Sequence, residues 1–233
     1  METWQREFID FMVRSEVLIF GDFTTKSGRK TPYFVNTGAY RTGEQITRLA
    51  ETYARTILAR IGDGTITEFD LLFGPAYKGI PLATATALIL ARDHGMNVGY
   101  CFDRKEEKDH GEGGKLVGWK PAAGDRVLLI EDVTTAGTSI RQSAPMLCRV
   151  ADVVLGGLIV SVDRQERGQG DSSALDELST EFSMPTFAIV TIDQIVEHPR
   201  EHEVDGKRIL NDAALGRIQA YREEWGARPQ TSS

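Results

Sequence analysis

Apolar residues recur along this chain in two rhythms, and the switches between them mark out its elements. Trp4, Phe8, Phe11 and Met12 fall at helical spacing and predict a helix over 3–14. "LIFGDFT" and "PYFVNTG" read as short strands flanking the polar turn "TKSGRKTP", with its Gly and Pro. Helical spacing returns over 44–61, where Ile46, Leu49, Tyr53, Ile57 and Ile61 share one face. From there the chain alternates. Strands are predicted at "FDLLFG", "NVGYCF", "RVLLIED", "VVLGGLIVSV" and "TFAIVTI", and helices over 78–93, 138–149 and 172–182. A last helix is expected over about 211–225, and the tail "GARPQTSS" reads as disordered. Several of these strands are apolar at every position, so both of their faces are buried. The expected fold is α/β, a parallel sheet covered by helices on both sides.

Composition changes this picture little. The 233 residues are 41% apolar and 26% charged, enough for a sizeable core. The net charge of −7 argues against nucleic acid as a partner, since that binding rests on clustered Lys and Arg. The two cysteines, Cys101 and Cys148, have no CxxC spacing; they read as buried thiols in a reducing cytoplasm. No apolar run reaches the ~20 residues that a membrane span needs. The start "METWQREFID" is amphipathic and acidic, unlike a signal peptide. His198 and His202 have HxxxH spacing, but with Pro199 between them and no evident acid partner they read as exposed loop histidines, not as a metal site.

Candidate chemistry follows from the fold class. Ligands of open parallel sheets bind at the carboxyl ends of the strands. Four segments occupy such ends: "GPAYKG", "FDRKEEKDHGEGGK", "EDVTTAGTS" and "VDRQERG". In "VLLIEDVTTAGTSI" an apolar strand runs into Glu131 and Asp132, then into a Gly-containing hydroxyl loop before a helix. Backbone N–H groups in such a turn form an anion nest, and the helix start adds positive potential. Thr135, Thr138 and Ser139 can add hydroxyl donors, and Gly137 permits close approach. Together they make a monophosphate cradle without a lysine. It is neither a GxxxxGK[ST] loop nor a GxGxxG fingerprint. The two acids suit sugar hydroxyls or a cationic centre beside that phosphate. The blander alternative is a helix cap supplied by Thr138 or Ser139.

This stretch resembles the phosphoribosyl-pyrophosphate (PRPP) signature of the type I phosphoribosyltransferases. "FTTKSGRKTPYFVNTG", "LLFGPAYKGIPLA", "DRKEEKDHGEGGKLVG" and "SVDRQERG" are, in that order, similar to segments of the orotate phosphoribosyltransferases. The resemblance runs from the first helix to about residue 195, with "AYREEWG" as a later echo. Glu131 stands where many members carry Asp, and Val35 where a second aromatic is common. The resemblance implies a type I core of about 43–195 behind a small N-terminal hood of about 1–42. A C-terminal helical segment would occupy about 196–226.

It also implies the site. Glu131 and Asp132 would hold the ribose hydroxyls, and Val133, Thr134, Thr135, Ala136, Gly137, Thr138 and Ser139 the 5′-phosphate. Lys26, Tyr77, Lys78, Arg104, Lys105, Lys108 and His110 would meet the rest of PRPP. Lys26, Phe34, Val35, Thr135 and Arg164 would line the orotate side, with Arg164 on its carboxylate. Lys105, Lys108 and His110 would neutralise the leaving group, and Lys108 or Asp132 would handle a proton. Mg2+ would be held mainly by PRPP and water. The loop 104–118 would close as a lid over the neighbouring subunit's site in a cytoplasmic homodimer. The residues taken singly leave alternatives: a solvated charged loop at 104–118, a surface Arg164 paired with Glu166, a core Phe34. Two other functions compete. A PRPP-sensing regulator would lack the lid chemistry and carry a basic domain; a purine transferase would need a neutral base pocket in place of Arg164.

Overall fold

The computed structural model describes residues 1–24, 28–104 and 115–228. Strands β3 (Leu71–Phe73), β4 (Gly99–Asp103), β5 (Leu116–Gly118), β6 (Arg126–Val133), β7 (Val154–Asp163) and β8 (Thr186–Thr191) form one sheet in the order β5-β4-β3-β6-β7-β8. Every neighbouring pair is parallel except β4–β5. A separate antiparallel hairpin, β1 (Leu18–Thr24) and β2 (Lys30–Val35), precedes it.

The central strands explain why this sheet needs two covers. Along β6, Leu128 and Ile130 face one core and Val127 and Leu129 the other, all fully buried. That is the period-2 alternation of a strand, here with apolar residues on both sides. The first core is closed by α1 (Thr3–Arg14), α2 (Gly43–Gly62), α3 (Gly79–His94), α6 (Ile192–Glu201) and α7 (Asp212–Trp225). The second is closed by α4 (Thr138–Val150) and α5 (Ala174–Phe182). Each fully buried aliphatic side chain contributes about 1.5–3 kcal/mol. Local signals set the ends of the helices. Thr42 and Gln45 form a capping box that starts α2, and Gly95 in the left-handed region stops α3.

Several expectations need correction. The distal part of the segment 104–118 is not loop: Leu116–Gly118 is a strand antiparallel to β4, and Arg104 N–H donates to the Lys115 carbonyl at 2.8 Å. Both described ends of the segment therefore lie side by side at one edge of the sheet. Residues 192–201 form a helix that the sequence pattern hides. Within it His198 is buried and hydrogen-bonded to Asp10 of α1 at 2.8 Å, so it is not an exposed loop histidine. Cys101 is buried, which pushes its thiol up to about 12, but Cys148 is exposed; both are free thiols. The start of the expected disordered tail is tied down: Ala227 N–H donates to the Gln165 carbonyl at 2.8 Å and Arg228 N–H to that of Asp171 at 2.9 Å.

The turn after β3 shows how closely the strand ends are built. A Cβ on Gly74 would lie 2.0 Å from the Gly79 carbonyl oxygen, and one on Gly79 would lie 2.5 Å from the Gly74 carbonyl carbon. Two backbones touch here, and only glycine allows it. Gly74→Ala should therefore destabilise by about 3 kcal/mol, lowering the melting temperature by roughly 6–12 °C for a chain of this size. An unchanged melting temperature would show that the turn relaxes freely.

Candidate active site

Glu131 and Asp132 end β6 partly buried, and the protein holds both by backbone and side chain. Tyr53 Oη donates to the Glu131 carbonyl at 2.7 Å, and Ser161 Oγ to that of Asp132 at 2.6 Å. The Ser139 hydroxyl donates to the Glu131 carboxylate. The Thr37 hydroxyl, from the short 3-10 turn after β2, donates to the Asp132 carboxylate. Lys78 Nζ reaches both Thr37 Oγ1 at 2.9 Å and Asp132 Oδ2 at 3.0 Å. Lys78 thus arrives from the "GPAYKG" turn, whose Ala76 N–H is anchored on Asp103 Oδ1 at 2.5 Å.

The loop that follows opens α4 in the way an anion site requires. Its N-cap is Gly137, with φ 68°, and no side chain caps the helix. Thr138 and Ser139 are therefore not caps, and the uncapped N–H groups of the first turn carry positive potential. Thr134 is buried, and its Oγ1 accepts from Gly137 N–H at 3.0 Å, which folds the loop on itself. Thr135, Ala136 and Thr138 are exposed, so Thr135 and Thr138 keep outward hydroxyls, whereas Ser139 is spent on Glu131. Arg141 braces the loop from behind. Its guanidinium donates to the Ala136 carbonyl, to Glu177 Oε2 at 3.0 Å and to Glu181 Oε2 at 2.7 Å.

A second charged cluster lies one strand away, past the end of β7. Val133 pairs with Val162, so Arg164 follows just beyond the level of the acid pair. Its side chain is only 10% exposed. Arg164 Nε and Nη2 both donate to Glu166 Oε1, at 3.0 and 2.7 Å. Tyr33 Oη donates to the same oxygen at 2.7 Å, and its ring lies under the Arg164 guanidinium at 5.1 Å. Arg29 Nη2 meets Glu166 Oε2 at 2.5 Å, and its guanidinium lies over the rings of Tyr221 and Trp225. Arg164 is therefore paired with Glu166 but is not a surface residue. Burial alone would raise the Glu166 carboxyl; the charge of Arg164, the hydrogen bonds from Tyr33 and Arg164 and the charge of Arg29 outweigh it and hold the carboxyl below its ordinary range.

The comparisons with known proteins fit this geometry. A family model described as "Phosphoribosyl transferase domain" matches residues 38–191. An orotate phosphoribosyltransferase of Clostridium acetobutylicum is 51% identical over 228 residues, which span 98% of this chain and all of that protein. One from Shigella dysenteriae is 46% identical, over 97% of this chain and all of that protein. The chain belongs to the orotate phosphoribosyltransferases. The crystal structure of an orotate phosphoribosyltransferase from Francisella tularensis superposes with a TM-score of 0.80 at 37% identity, covering 94% of this chain and 99% of that one.

Among the residues that the family resemblance singles out, the structure brings Lys78 onto Asp132 and Ser139 onto Glu131. Tyr77 is beside Lys78 and 71% exposed, and Arg104 is exposed where β4 ends. Phe34 is not a core aromatic: it is 38% exposed and packs against Phe23. Its neighbour Tyr33, on the other face of the hairpin, is the residue that meets Arg164. Val35 is half-buried at the end of that strand. Lys26, Lys105, Lys108 and His110 lie outside the described residues. Thr37, Tyr53, Ser161, Arg29 and Tyr33 escape sequence reasoning, because each reaches its partner from a distant segment. Only the two-residue spacing of Arg164 and Glu166 gave a hint.

The Glu166 carboxyl links stability to pH. Its folded-state pKa is depressed, so its stabilisation is present above the unfolded value of about 4.3. It is lost as pH falls through the lower, folded value. Glu166→Gln should cost about 3 kcal/mol at neutral pH, as expected on breaking a buried ion pair. The stability gap to wild type should narrow as pH drops below about 4.3. A gap that stays constant from pH 7 to pH 3 would show that Glu166 does not carry this charge.

Proposed function

We propose that this chain transfers the 5-phosphoribosyl group of PRPP to orotate, giving orotidine 5′-monophosphate and pyrophosphate in de novo UMP synthesis. The observation that carries the reading is the pair of strand-end carboxylates beside an uncapped helix start, with a buried guanidinium one strand away. Glu131 and Asp132 accept from the ribose 2′ and 3′ hydroxyls. The N–H groups and outward hydroxyls of 134–139 donate to the 5′-phosphate. Lys78, now paired with Asp132, turns with Arg104 to the pyrophosphate. Lys105, Lys108 and His110 come from the family resemblance and complete that cationic wall; Lys108 or Asp132 handles the proton. Arg164 takes the orotate carboxylate, and Phe34, Val35, Lys26 and Thr135 line the base.

Displacement at the anomeric carbon inverts it through an oxocarbenium-like transition state, as at glycosidic centres generally. The carboxylates then lie beside developing positive charge. They act by electrostatics and positioning, and no covalent nucleophile is called for. Glu131 and Asp132 are hard oxygen donors, a set that fits Mg2+ held through substrate oxygens and water. Bound there, the ion would neutralise charge on the pyrophosphate. No helix among the described residues is long and apolar enough to cross a membrane. We place the enzyme in the cytoplasm as a homodimer with shared sites, on the family resemblance.

PRPP with Mg2+ at about 100 times its dissociation constant should stabilise the protein by roughly 2.7 kcal/mol, a rise of about 5–10 °C in melting temperature. Glu131→Gln combined with Asp132→Asn should remove most of this shift, and an undiminished shift would show that the acids do not hold the ribose. The shared site has its own check. Lys105→Ala and Arg164→Ala subunits, each nearly inactive alone, should regain about a quarter of wild-type activity after random exchange of an equal mixture, because about half the dimers are mixed and one site of each is whole. No recovery despite demonstrated exchange would mean that each loop serves its own subunit.

A further inference from the structure

Arg164 does not present its whole guanidinium to a ligand. Its side edge, Nε–H with Nη2–H, is occupied by one oxygen of Glu166. The end edge, Nη1–H with the second Nη2–H, has no hydrogen-bond partner among the described residues, and no buried unsatisfied atom is found on Arg164. A guanidinium gripped along one edge offers the other as a fixed two-pronged donor, the geometry that a planar carboxylate accepts.

Glu166 is itself fixed from every side. Oε1 takes Tyr33 Oη as well as Arg164, and Oε2 takes Arg29. The backbone of Glu166 bridges to Gly226, and Arg167 N–H donates to the Trp225 carbonyl at 3.0 Å. Between Arg164 and Glu166 the chain makes a tight turn. Gln165 has φ 49°, and its N–H donates to Asp163 Oδ1 at 2.8 Å. The hairpin supplies Tyr33 and Arg29, and the end of α7 supplies Tyr221, Trp225 and the backbone clamp.

We infer that Glu166 is a positioning residue that sets the enzyme's selectivity for a carboxylated pyrimidine, by holding Arg164 edge-on through the hairpin and the C-terminal helix. The inference rests on the reading of Arg164 as the base-side cation. Glu166 need not touch the base. Removing its charge frees Arg164 to rotate, and a displacement of about 1 Å in such a group costs roughly 100-fold.

Steady-state kinetics on the full-length enzyme test this. Glu166→Gln should raise the orotate KM by about 10- to 100-fold. The PRPP KM should stay within about 2-fold and kcat within about 3-fold, as expected when ground-state and transition-state binding fall together. kcat/KM for uracil, which has no carboxylate, should not fall, so selectivity for orotate over uracil should collapse. In an Arg164→Ala background the same change should add less than about 2-fold, because the two residues act as one unit. Should Glu166→Gln fail to fold, Tyr33→Phe removes only the hydroxyl on Oε1. It should raise the orotate KM by about 3- to 10-fold. Arg164→Ala separates the two ideas. If it raises the orotate KM while Glu166→Gln, or Tyr33→Phe in its place, leaves that KM unchanged, the positioning role is wrong and the base-side cation stands. If Arg164→Ala leaves it unchanged, both readings fall. Equal losses for orotate and PRPP would make Glu166 a scaffold residue and overturn the inference.

Discussion

Two carboxylates close a strand that is otherwise wholly apolar, and charge can stand there only if the surrounding chain supplies hydrogen-bond donors. Tyr53 and Ser161 bond to the carbonyls of Glu131 and Asp132, and Ser139, Thr37 and Lys78 bond to their side chains. Those donors come from α2, β7, α4, the turn after β2 and the turn after β3. The constraint therefore reaches outward and fixes five elements around one strand end. It also explains the glycine pair at 74 and 79: Lys78 can reach Asp132 because the turn that carries it packs backbone against backbone.

The same logic recurs past β7 with the opposite sign. Arg164 and Arg29 are largely buried cations, and Glu166 is the carboxylate between them. Burying any of the three alone would be costly, and Glu166 pairs with both guanidiniums. An acid pair suited to sugar hydroxyls and a buried guanidinium suited to an anionic base thus stand at the ends of adjacent strands. The hairpin and the turn that follows it serve both, through Thr37 of the turn in one and through Tyr33 and Arg29 of the hairpin in the other.

Much of this was legible in the sequence wherever the signal is local. The apolar run into Glu131 and Asp132, and the hydroxyl loop after it, announced a strand end and an anion cradle. Arg164 stood out as a cation at another strand end. Where partners are remote the sequence was silent: Tyr33 and Arg29 reach Glu166 across 133 and 137 residues. His198 looked partnerless because Asp10 lies 188 residues away. Short or interrupted elements were also lost. β5 is three residues beside a charged, Gly-rich stretch, and Pro199, which reads as a stop, lies near the end of α6. The exposure of Cys148 was lost for a related reason, since which side of α4 it occupies depends on how that helix packs.

In the proposed reaction a buried guanidinium selects the base, and an acid pair holds the sugar that is transferred to it. A turnover assay with PRPP and Mg2+, comparing orotate with uracil and hypoxanthine at equal concentration, tests this most directly. Orotate should be converted to its nucleotide with release of pyrophosphate, and it should outpace both neutral bases by at least about 100-fold, the scale on which a site built around a charged pair rejects a ligand that leaves it unpaired. Comparable turnover of uracil or hypoxanthine, or none with orotate, would contradict it.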